Sequence, residues 1–318
     1  MQPAHPSTRL RSGREDAPSM GSMGSMGTLS DAILSALAYS DVFDWPLSAA
    51  EIHRSLSMAC APADVDDVLE SGALAAQVAS VDEMFVLFGR TELAESRRRR
   101  ERVSQRLWPH AVRYGRWIAG LPLVSMVAVS GSLAVNAATS DADIDLFIVT
   151  DDGRLWTARA MTMGVVRAAA LGRNGVTLCP NYLVAASKIE LAERNLFTAR
   201  EFAQLVPLYG GRACDDLIAR NEWFRDFLPN HPGPTPKMAG RPPALGRHVA
   251  PLLSSRVFGA FERWEMERKV ATLRALSGAT AGNEANFGAG ECKGHVDGHR
   301  QRILGAYADR LRRLGVAP

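Results

Sequence analysis

Two aspartates, Asp143 and Asp145, are spaced so that they could hold a metal ion together. They open an apolar run at 143–150 that is typical of a buried strand. Because side chains alternate along a strand, both carboxylates lie on one face, about 7 Å apart, with Ile144 on the other. Alone they would repel each other and raise each other's pKa values. Mg²⁺ removes that cost, and proteins hold it with one or two carboxylates plus substrate phosphates.

A second pair, Gly131 and Ser132, follows the preceding apolar run at 123–129 and stands about ten residues before the aspartates. Glycine lets the backbone approach a phosphate closely, and N–H groups and the hydroxyl of Ser132 can donate to it. A helix beginning near Ser132 would add its positive end, and Ser132 could equally cap that helix. Asp141 is expected to be a turn residue before the strand. The two pairs together predict a site for a phosphate and a divalent cation.

A Gly-Ser turn followed about ten residues later by Asp-x-Asp on a strand resembles the polymerase-β-type nucleotidyltransferase superfamily. More narrowly, the chain is similar from about Thr28 to its end to bacterial nucleotidyltransferase-domain proteins of unassigned substrate with an N-terminal winged helix. The further matches have no role that the sequence reveals: Ser-Asp-Val-Phe-Asp at 40–44, Gly-Arg at 89–90, Cys-Pro-Asn-Tyr at 179–182, Pro-Leu-Tyr-Gly at 207–210, and Lys-Gly-His at 293–295 with His299.

The resemblance implies transfer of a nucleoside monophosphate from an NTP to an acceptor, with two Mg²⁺ ions. By that resemblance, the catalytic and metal-binding aspartates are Asp143 and Asp145, and the phosphate-binding residues are Gly131 and Ser132. The chemistry agrees, because nucleotidyl transfer needs charge neutralisation and in-line positioning, and a metal pair supplies both.

One departure concerns the third carboxylate that the superfamily often carries on a following strand. The predicted third strand at 176–184 contains no acid, and Asn181 is its nearest metal-compatible oxygen. An amide is a neutral, weaker ligand and a poor base. Three alternatives stay open: the substrate supplies the missing ligand, a carboxylate comes from elsewhere, or the protein binds nucleotide without efficient transfer.

Cationic residues flank the predicted strands. Arg154, Arg159 and Lys188 could each reach an NTP phosphate, or could belong to a solvated helix face. We take Arg159 and Lys188 as the candidate nucleotide-binding cations.

His295 and His299 are four residues apart, but no nearby ligands complete a metal set, so structural hydrogen bonding is the expected role.

The elements that must position these residues form an α+β fold. The predicted segments are a disordered tail at 1–27, a winged helix-turn-helix at 28–90, a charged connecting helix at 91–119, a nucleotidyltransferase core with a mixed sheet at 120–187, and a helical C-terminal region at 188–318 with a Pro-rich loop at 229–243. Within the core, a helix is predicted at 153–171 between the second and third strands.

Composition excludes several classes. The 318 residues carry 37 Lys+Arg and 34 Asp+Glu, a net charge of +3, so a basic nucleic-acid coat is not indicated. No apolar run is long enough to span a membrane, and no secretory signal is evident. The four dispersed cysteines fit reduced thiols, and we expect a cytoplasmic protein without membrane partners. Walker, H-E-x-x-H, G-x-S-x-G and G-x-G-x-x-G motifs are absent from the sequence.

The near-neutral total conceals a basic run. Between Arg90 and Arg116 there are nine arginines and three glutamates. These charges could bind nucleic acid, steer an NTP, or simply solvate a linking helix.

The leading hypothesis is an Mg²⁺-dependent nucleotidyltransferase acting on a small-molecule acceptor. The alternatives are a nucleotide-sensing DNA-binding regulator that has lost transfer, and a toxin-like transferase acting on tRNA or protein.

Overall fold

The N-terminal unit combines three helices with a small sheet. The computed structural model describes residues 28–172, 175–240, 242, 247–253, 255–277, 286–294 and 299–317, so the predicted tail at 1–27 lies outside the described residues. The elements of this unit are α1 (Leu29–Asp41), β1 (Leu47–Ser48), α2 (Ala49–Ser55), α3 (Pro62–Glu70), β2 (Val78–Val81) and β3 (Met84–Leu87). The strands form an antiparallel sheet in the order β1-β3-β2. This is the arrangement of a winged helix-turn-helix.

Local signals in the sequence explain most of these boundaries. α2 begins with the predicted capping box, in which Ser48 and Glu51 satisfy each other's backbone N–H groups. The segment at 74–77 lies before the first long strand of the hairpin, because β2 begins only at Val78. The carbonyl of Leu74 instead accepts hydrogen bonds from the N–H groups of Gln77 and Val78, at 2.9 and 2.8 Å, and its side chain is buried in the core of the unit. The hydrogen bonds to Leu74 and the burial of its side chain therefore favour a turn at this segment.

The connecting helix α4 (Leu93–Ala119) runs for 27 residues and continues through Pro109. Its first half fastens the N-terminal unit to the rest of the chain. The guanidinium of Arg97 donates to Glu51 at 2.7 and 3.0 Å and to the carbonyl of Pro46 at 2.6 Å. Arg100 donates from Nε to the carbonyl of Ala137 at 2.7 Å. These arginines therefore have structural partners.

A six-stranded sheet occupies the centre, in the order β7-β4-β5-β6-β9-β8. Its elements and those packed on it are β4 (Val124–Val129), α5 (Gly131–Ala134), β5 (Ile144–Thr150), α6 (Leu155–Leu171), β6 (Leu178–Ala185), α7 (Leu196–Ala203), β7 (Val206–Tyr209), α8 (Gly211–Arg220), α9 (Ala250–Leu253), α10 (Arg256–Ser277), β8 (Asn286–Phe287), β9 (Glu291–Lys293) and α11 (His299–Leu314). β5 and β6 are parallel and joined through α6, and the other neighbouring pairs are antiparallel. The mixed sheet and the α+β class agree with the prediction.

The two faces of this sheet have different coverings. Ile144, Leu146 and Ile148 of β5 join a core with α4 and α6. Phe147 and Val149 face the other way, into a core with α7 and α8. We call these the α4 face and the α7 face of the sheet. The alternation along β5 therefore decides which helices surround each of its side chains.

The prediction of a purely helical region after residue 187 is wrong, because this region supplies three strands of the central sheet. β7, β8 and β9 are four, two and three residues long, too short for a periodic signal. β7 also contains Pro207, which a sheet tolerates at an edge. Within this region α7 begins at Leu196, after the N-cap Asn195, and α8 ends at Arg220, before a separate short helical turn at Glu222–Asp226.

The Pro-rich loop stabilises the helix-turn-helix. Of 229–243, residues 229–240 and 242 are described, and none of them lies in a helix or strand. The side chain of Asn230 accepts from the N–H of Cys60 at 3.3 Å and donates to the carbonyls of His53 and Met58 at 3.1 and 2.9 Å. The turn between α2 and α3 is thus fixed from 170 residues away.

Among the described helices, none combines the length and apolar character needed to cross a membrane.

Candidate functional site

Asp145 is the second residue of β5, and its carboxylate lies on the α7 face of the sheet, since it alternates with Ile144 and Leu146 on the α4 face. The N–H of Ser130 donates to the carbonyl of Asp145 at 3.0 Å and ties the end of β4 to the beginning of β5. Asp143 precedes the strand and is exposed, whereas Asp145 is half-buried. The structure therefore brings both aspartates to the edge where β4 ends.

Gly131 passes directly against this carboxylate. Its φ is +63°, a conformation that favours glycine, and a Cβ built there would collide with Oδ2 of Asp145 and lie 3.2 Å from its Cγ. α5 begins at Gly131, so Ser132 is the second residue of the helix and not its cap. Gly131, Ser132 and Asp145 are thus brought together as predicted, and only glycine fits the close approach.

Burial raises the pKa of Asp145 to about 6, and the neighbouring charge of Asp143 acts in the same direction. The thiol of Cys179 donates a hydrogen bond to Asp145, which opposes the rise, and the pKa of Cys179 itself is raised to about 12 by burial and by the two aspartates. Cys179 is the register partner of Asp145 in the parallel pair. The Cys-Pro-Asn-Tyr segment at 179–182 thus has a contact with Asp145 that the sequence alone did not reveal.

Pro180 accompanies a register shift in β6. Asp145 pairs with Cys179 but Phe147 pairs with Tyr182, so β6 has one residue more than β5 across this interval. A bulge is where a strand accommodates proline. Because of it, both Cys179 and Tyr182 contact residues on the α7 face: Cys179 meets Asp145, and the ring of Tyr182 packs edge-on against Phe147 at 5.0 Å.

A third carboxylate near Asp145 comes from α7. Burial raises the pKa of Glu201 to about 7, the charge of Asp145 adds to the rise, and Lys293 opposes it. Sequence reasoning missed Glu201, because it lies inside a helix whose packing on the sheet places it there, and no local motif marks such a position. Of the alternatives for the missing acid, a carboxylate from elsewhere in the chain is the one with a structural candidate.

Lys293 of β9 is the cation whose charge opposes the rise in the pKa of Glu201. Its Nζ lies 3.3 Å from Glu193, which also accepts from Arg300 at 2.7 Å, and 5.8 Å from the ring centroid of Tyr182. The hydroxyl of Tyr182 donates to Glu291 at 2.6 Å. The charge of Lys293 is therefore shared between Glu201 and Glu193.

The two cations chosen from the sequence lie elsewhere. Arg159 of α6 is on the α4 face, where it contacts the ring of Trp156 and the thiol of Cys292. Lys188 follows the last residue of β6, at the opposite end of the strand from Cys179, about 20 Å along the sheet. Neither residue therefore lies at Asp145, because nearness in sequence to a strand does not specify which end or face a side chain reaches. Their role in nucleotide binding stays a prediction. Arg154 also lies beyond the far end of β5 and donates to the carbonyl of Ser255 at 3.1 Å.

Four further residues were singled out from the sequence: Asn181, Asp141, His295 and His299. Asn181 follows the bulge, and its carbonyl accepts from the N–H of Gly294 at 2.9 Å, so its role as a metal ligand stays a prediction. Asp141 is exposed and bonded to the side chain of Thr139, as expected for a turn residue. His295 lies outside the described residues, and the ring of His299 packs edge-on against Phe197 at 6.0 Å.

Among the residues that the structure describes, no group of three or more His, Cys, Asp or Glu side chains is already placed to hold a metal ion. The donor chemistry nevertheless fits one, because Mg²⁺ needs only one or two carboxylates when substrate phosphates supply the rest. No protein-family model, curated protein or solved structure matches the chain.

Proposed function

We propose that this chain is a nucleotidyltransferase that moves a nucleoside monophosphate from an NTP to an acceptor. The observation that carries the proposal is the contact between the Gly-Ser turn and the Asp-x-Asp strand. Gly131 lies directly against the Asp145 carboxylate. A phosphate that accepts hydrogen bonds from the N–H groups of this turn would therefore be adjacent to the same carboxylate. A phosphate and two carboxylates repel each other unless a cation joins them.

Three carboxylates that act on one another support a cation at this place: Asp143, Asp145 and Glu201. Burial raises the pKa values of Asp145 and Glu201, the neighbouring acids add to the rise, and a bound cation would relieve that repulsion. Asp143 and Asp145 would hold Mg²⁺, which when bound supplies charge neutralisation and alignment for an in-line displacement at phosphorus. The resemblance implies two such ions.

The chain's own residues have separate tasks in this proposal. The N–H groups at Gly131 and Ser132 bind phosphate oxygens, and the surrounding strands keep the turn rigid. Glu201, with a pKa of about 7, is suited to accept a proton from the acceptor hydroxyl near neutral pH. Lys293 stabilises the ionised form of Glu201 and limits the rise of its pKa.

The charges of the winged helix weigh against the DNA-binding regulator. α3, the helix that a helix-turn-helix places against DNA, carries Asp64, Asp66, Asp67 and Glu70 and no basic residue. The turn between β2 and β3 adds Asp82 and Glu83. Such a surface repels phosphates, whereas DNA binding depends on Lys and Arg. The unit is better suited to positioning α4 or to contacting a partner other than nucleic acid.

The test is label transfer from α-³²P-labelled NTPs, with Mg²⁺, to a metabolite extract and separately to total RNA and to protein. Transfer to one fraction, lost in Asp143→Asn and Asp145→Asn but retained in the matched control Asp141→Asn, would support the proposal. Full transfer by Asp145→Asn, or none to any fraction by the intact chain, would refute it. The fraction labelled distinguishes the small-molecule acceptor from the toxin-like alternative.

A further inference from the structure

The arginines of α4 fall into two groups. Those in its first half have partners: Arg97 with Glu51 and Glu101, Arg98 with Asp82, and Arg99 with Glu95. Those further along are exposed and form no ion pair with any described residue: Arg102, Arg106, Arg113 and Arg116. They recur at spacings of three, four and seven, so they lie on one face of the helix.

Two of these arginines border a cavity of about 500 Å³, within the usual range for small-ligand sites. α4 contributes most of the wall, β7 contributes Tyr209, and the Pro-rich loop contributes Ala239. The full lining is Pro109, Val112, Arg113, Arg116, Trp117, Tyr209 and Ala239. It contains no acid, and the guanidinium of Arg113 lies 5.2 Å from the ring centroid of Trp117.

The wall opposite α4 is fixed by backbone hydrogen bonds. The N–H groups of Lys237 and Ala239 donate to the carbonyls of Pro207 and Leu208, at 2.8 and 3.1 Å. The hydroxyl of Tyr209 donates to the carbonyl of Ala239 at 3.4 Å. The loop therefore lies along the edge strand β7, so the cavity exists without a ligand and little ordering is needed on binding.

The cavity is separate from the Asp145 site. Tyr209 belongs to the core on the α4 face of the sheet, and Trp117 packs against the same core. Asp145 interacts with Glu201 of α7, on the other face. Whatever occupies this cavity does not occupy the place between Gly131 and Asp145.

We propose that this cavity binds a nucleoside phosphate, with the phosphate on Arg113 and Arg116 and the base against Trp117. Guanidinium groups bind phosphate oxygens in pairs, and two of them one helical turn apart suit a single phosphate. The half-buried ring of Trp117, together with the apolar Pro109 and Val112, offers a flat apolar surface that suits a base. The proposal goes beyond the transfer reaction and does not depend on it.

The test is calorimetric titration of AMP into Asp145→Asn protein in EDTA, which leaves the proposed metal-dependent site inactive. We expect saturable binding, weakened roughly tenfold or more by Arg113→Ala combined with Arg116→Ala. Arg106→Ala is the matched control, because Arg106 lies on the same exposed face and outside the cavity, and it should change the Kd less than about twofold. Thermal unfolding of each variant checks that the exposed substitutions leave the fold intact.

The base is tested with ribose 5-phosphate, which has the phosphate but no ring system. It should bind roughly tenfold more weakly than AMP, and Trp117→Leu should remove most of that difference. Absence of saturation at millimolar AMP would overturn the proposal, and so would equal weakening by Arg106→Ala. An oligoadenylate that binds far more tightly than AMP and depends on Arg106 would overturn it too, by showing that a strand along α4 is the ligand.

Discussion

The backbone of Gly131 occupies the space next to the carboxylate of Asp145 that a larger residue would need. Gly131→Ala should therefore both strain the turn and displace Asp145, and we expect Mg²⁺-dependent nucleotide binding to fall more than roughly tenfold. The matched control is Gly153→Ala, since Gly153 has a similar φ of +65° but nothing within 4 Å of its added Cβ. Urea unfolding should show a loss of about 1 kcal/mol for Gly153→Ala and a clearly larger loss for Gly131→Ala. Equal losses and unchanged nucleotide binding would contradict the contact.

The junction between the winged helix and α4 depends on Arg97, which is buried and bonded to Glu51, Glu101 and the carbonyl of Pro46. Arg97→Ala leaves Glu51 without its main partner, so we expect a loss of about 3 kcal/mol in the free energy of unfolding. Arg99→Ala is the control on the same helix, since its pair with Glu95 is exposed and should contribute less than about 0.5 kcal/mol. Chemical denaturation measures both, and similar losses would show that the junction lies elsewhere.

Glu201 makes stability depend on pH in a definite direction. Its pKa is raised from an ordinary 4.5 to about 7, with Asp145 adding to the rise and Lys293 opposing it. Between these values the folded protein binds more protons than the unfolded chain, so stability in EDTA falls as pH rises from about 4.5 to about 7. Glu201→Gln should raise the free energy of unfolding by about 2 kcal/mol at pH 8 and leave it nearly unchanged at pH 4.5. A variant less stable than the parent at pH 8 would refute the assignment.

Helix α6 obtains its N-terminal cap from a distant residue. Glu262 of α10 accepts from the N–H groups of Trp156 and Thr157 at 2.7 and 2.8 Å and from the hydroxyl of Thr157 at 2.6 Å. Glu262→Ala leaves buried donors unsatisfied, and we expect a loss of about 2–3 kcal/mol and earlier proteolysis within α10. The exposed Glu267→Ala, in the same helix, should have little effect. Limited proteolysis with equal rates for both variants would contradict the cap.

The parts of the fold that the sequence predicts well are those with a long periodic signal. The runs at 123–129, 143–150 and 176–184 correspond to β4, β5 and β6 within two residues at each end. Gly131 comes just after the end of β4 and Asp145 lies at the beginning of β5. Because β4 and β5 are paired, the close approach of the two residues follows from the strand pairing. The α+β class follows from the same segments.

The parts that could not be predicted depend on long-range packing. β7, β8 and β9 have too few residues for a pattern, and they become strands because neighbours in the sheet bond to them. Glu201 and Lys293 reach the site from elements 56 and 148 residues beyond Asp145 in sequence, where no spacing rule applies. Arg159 and Lys188 do not reach Asp145, because α6 and β6 continue away from it.

The position of β9 between β6 and β8 has a consequence for synthesis of the chain. On the ribosome β4, β5 and β6 emerge early, but β6 pairs on its outer side with residues 291–293, more than 100 positions later. Until then β6 exposes an unpaired edge, which invites association with another nascent chain. The outer edge of β6 is paired only after Lys293 has been translated. A chain that stalls after β7 would therefore depend on chaperones to avoid association with other chains.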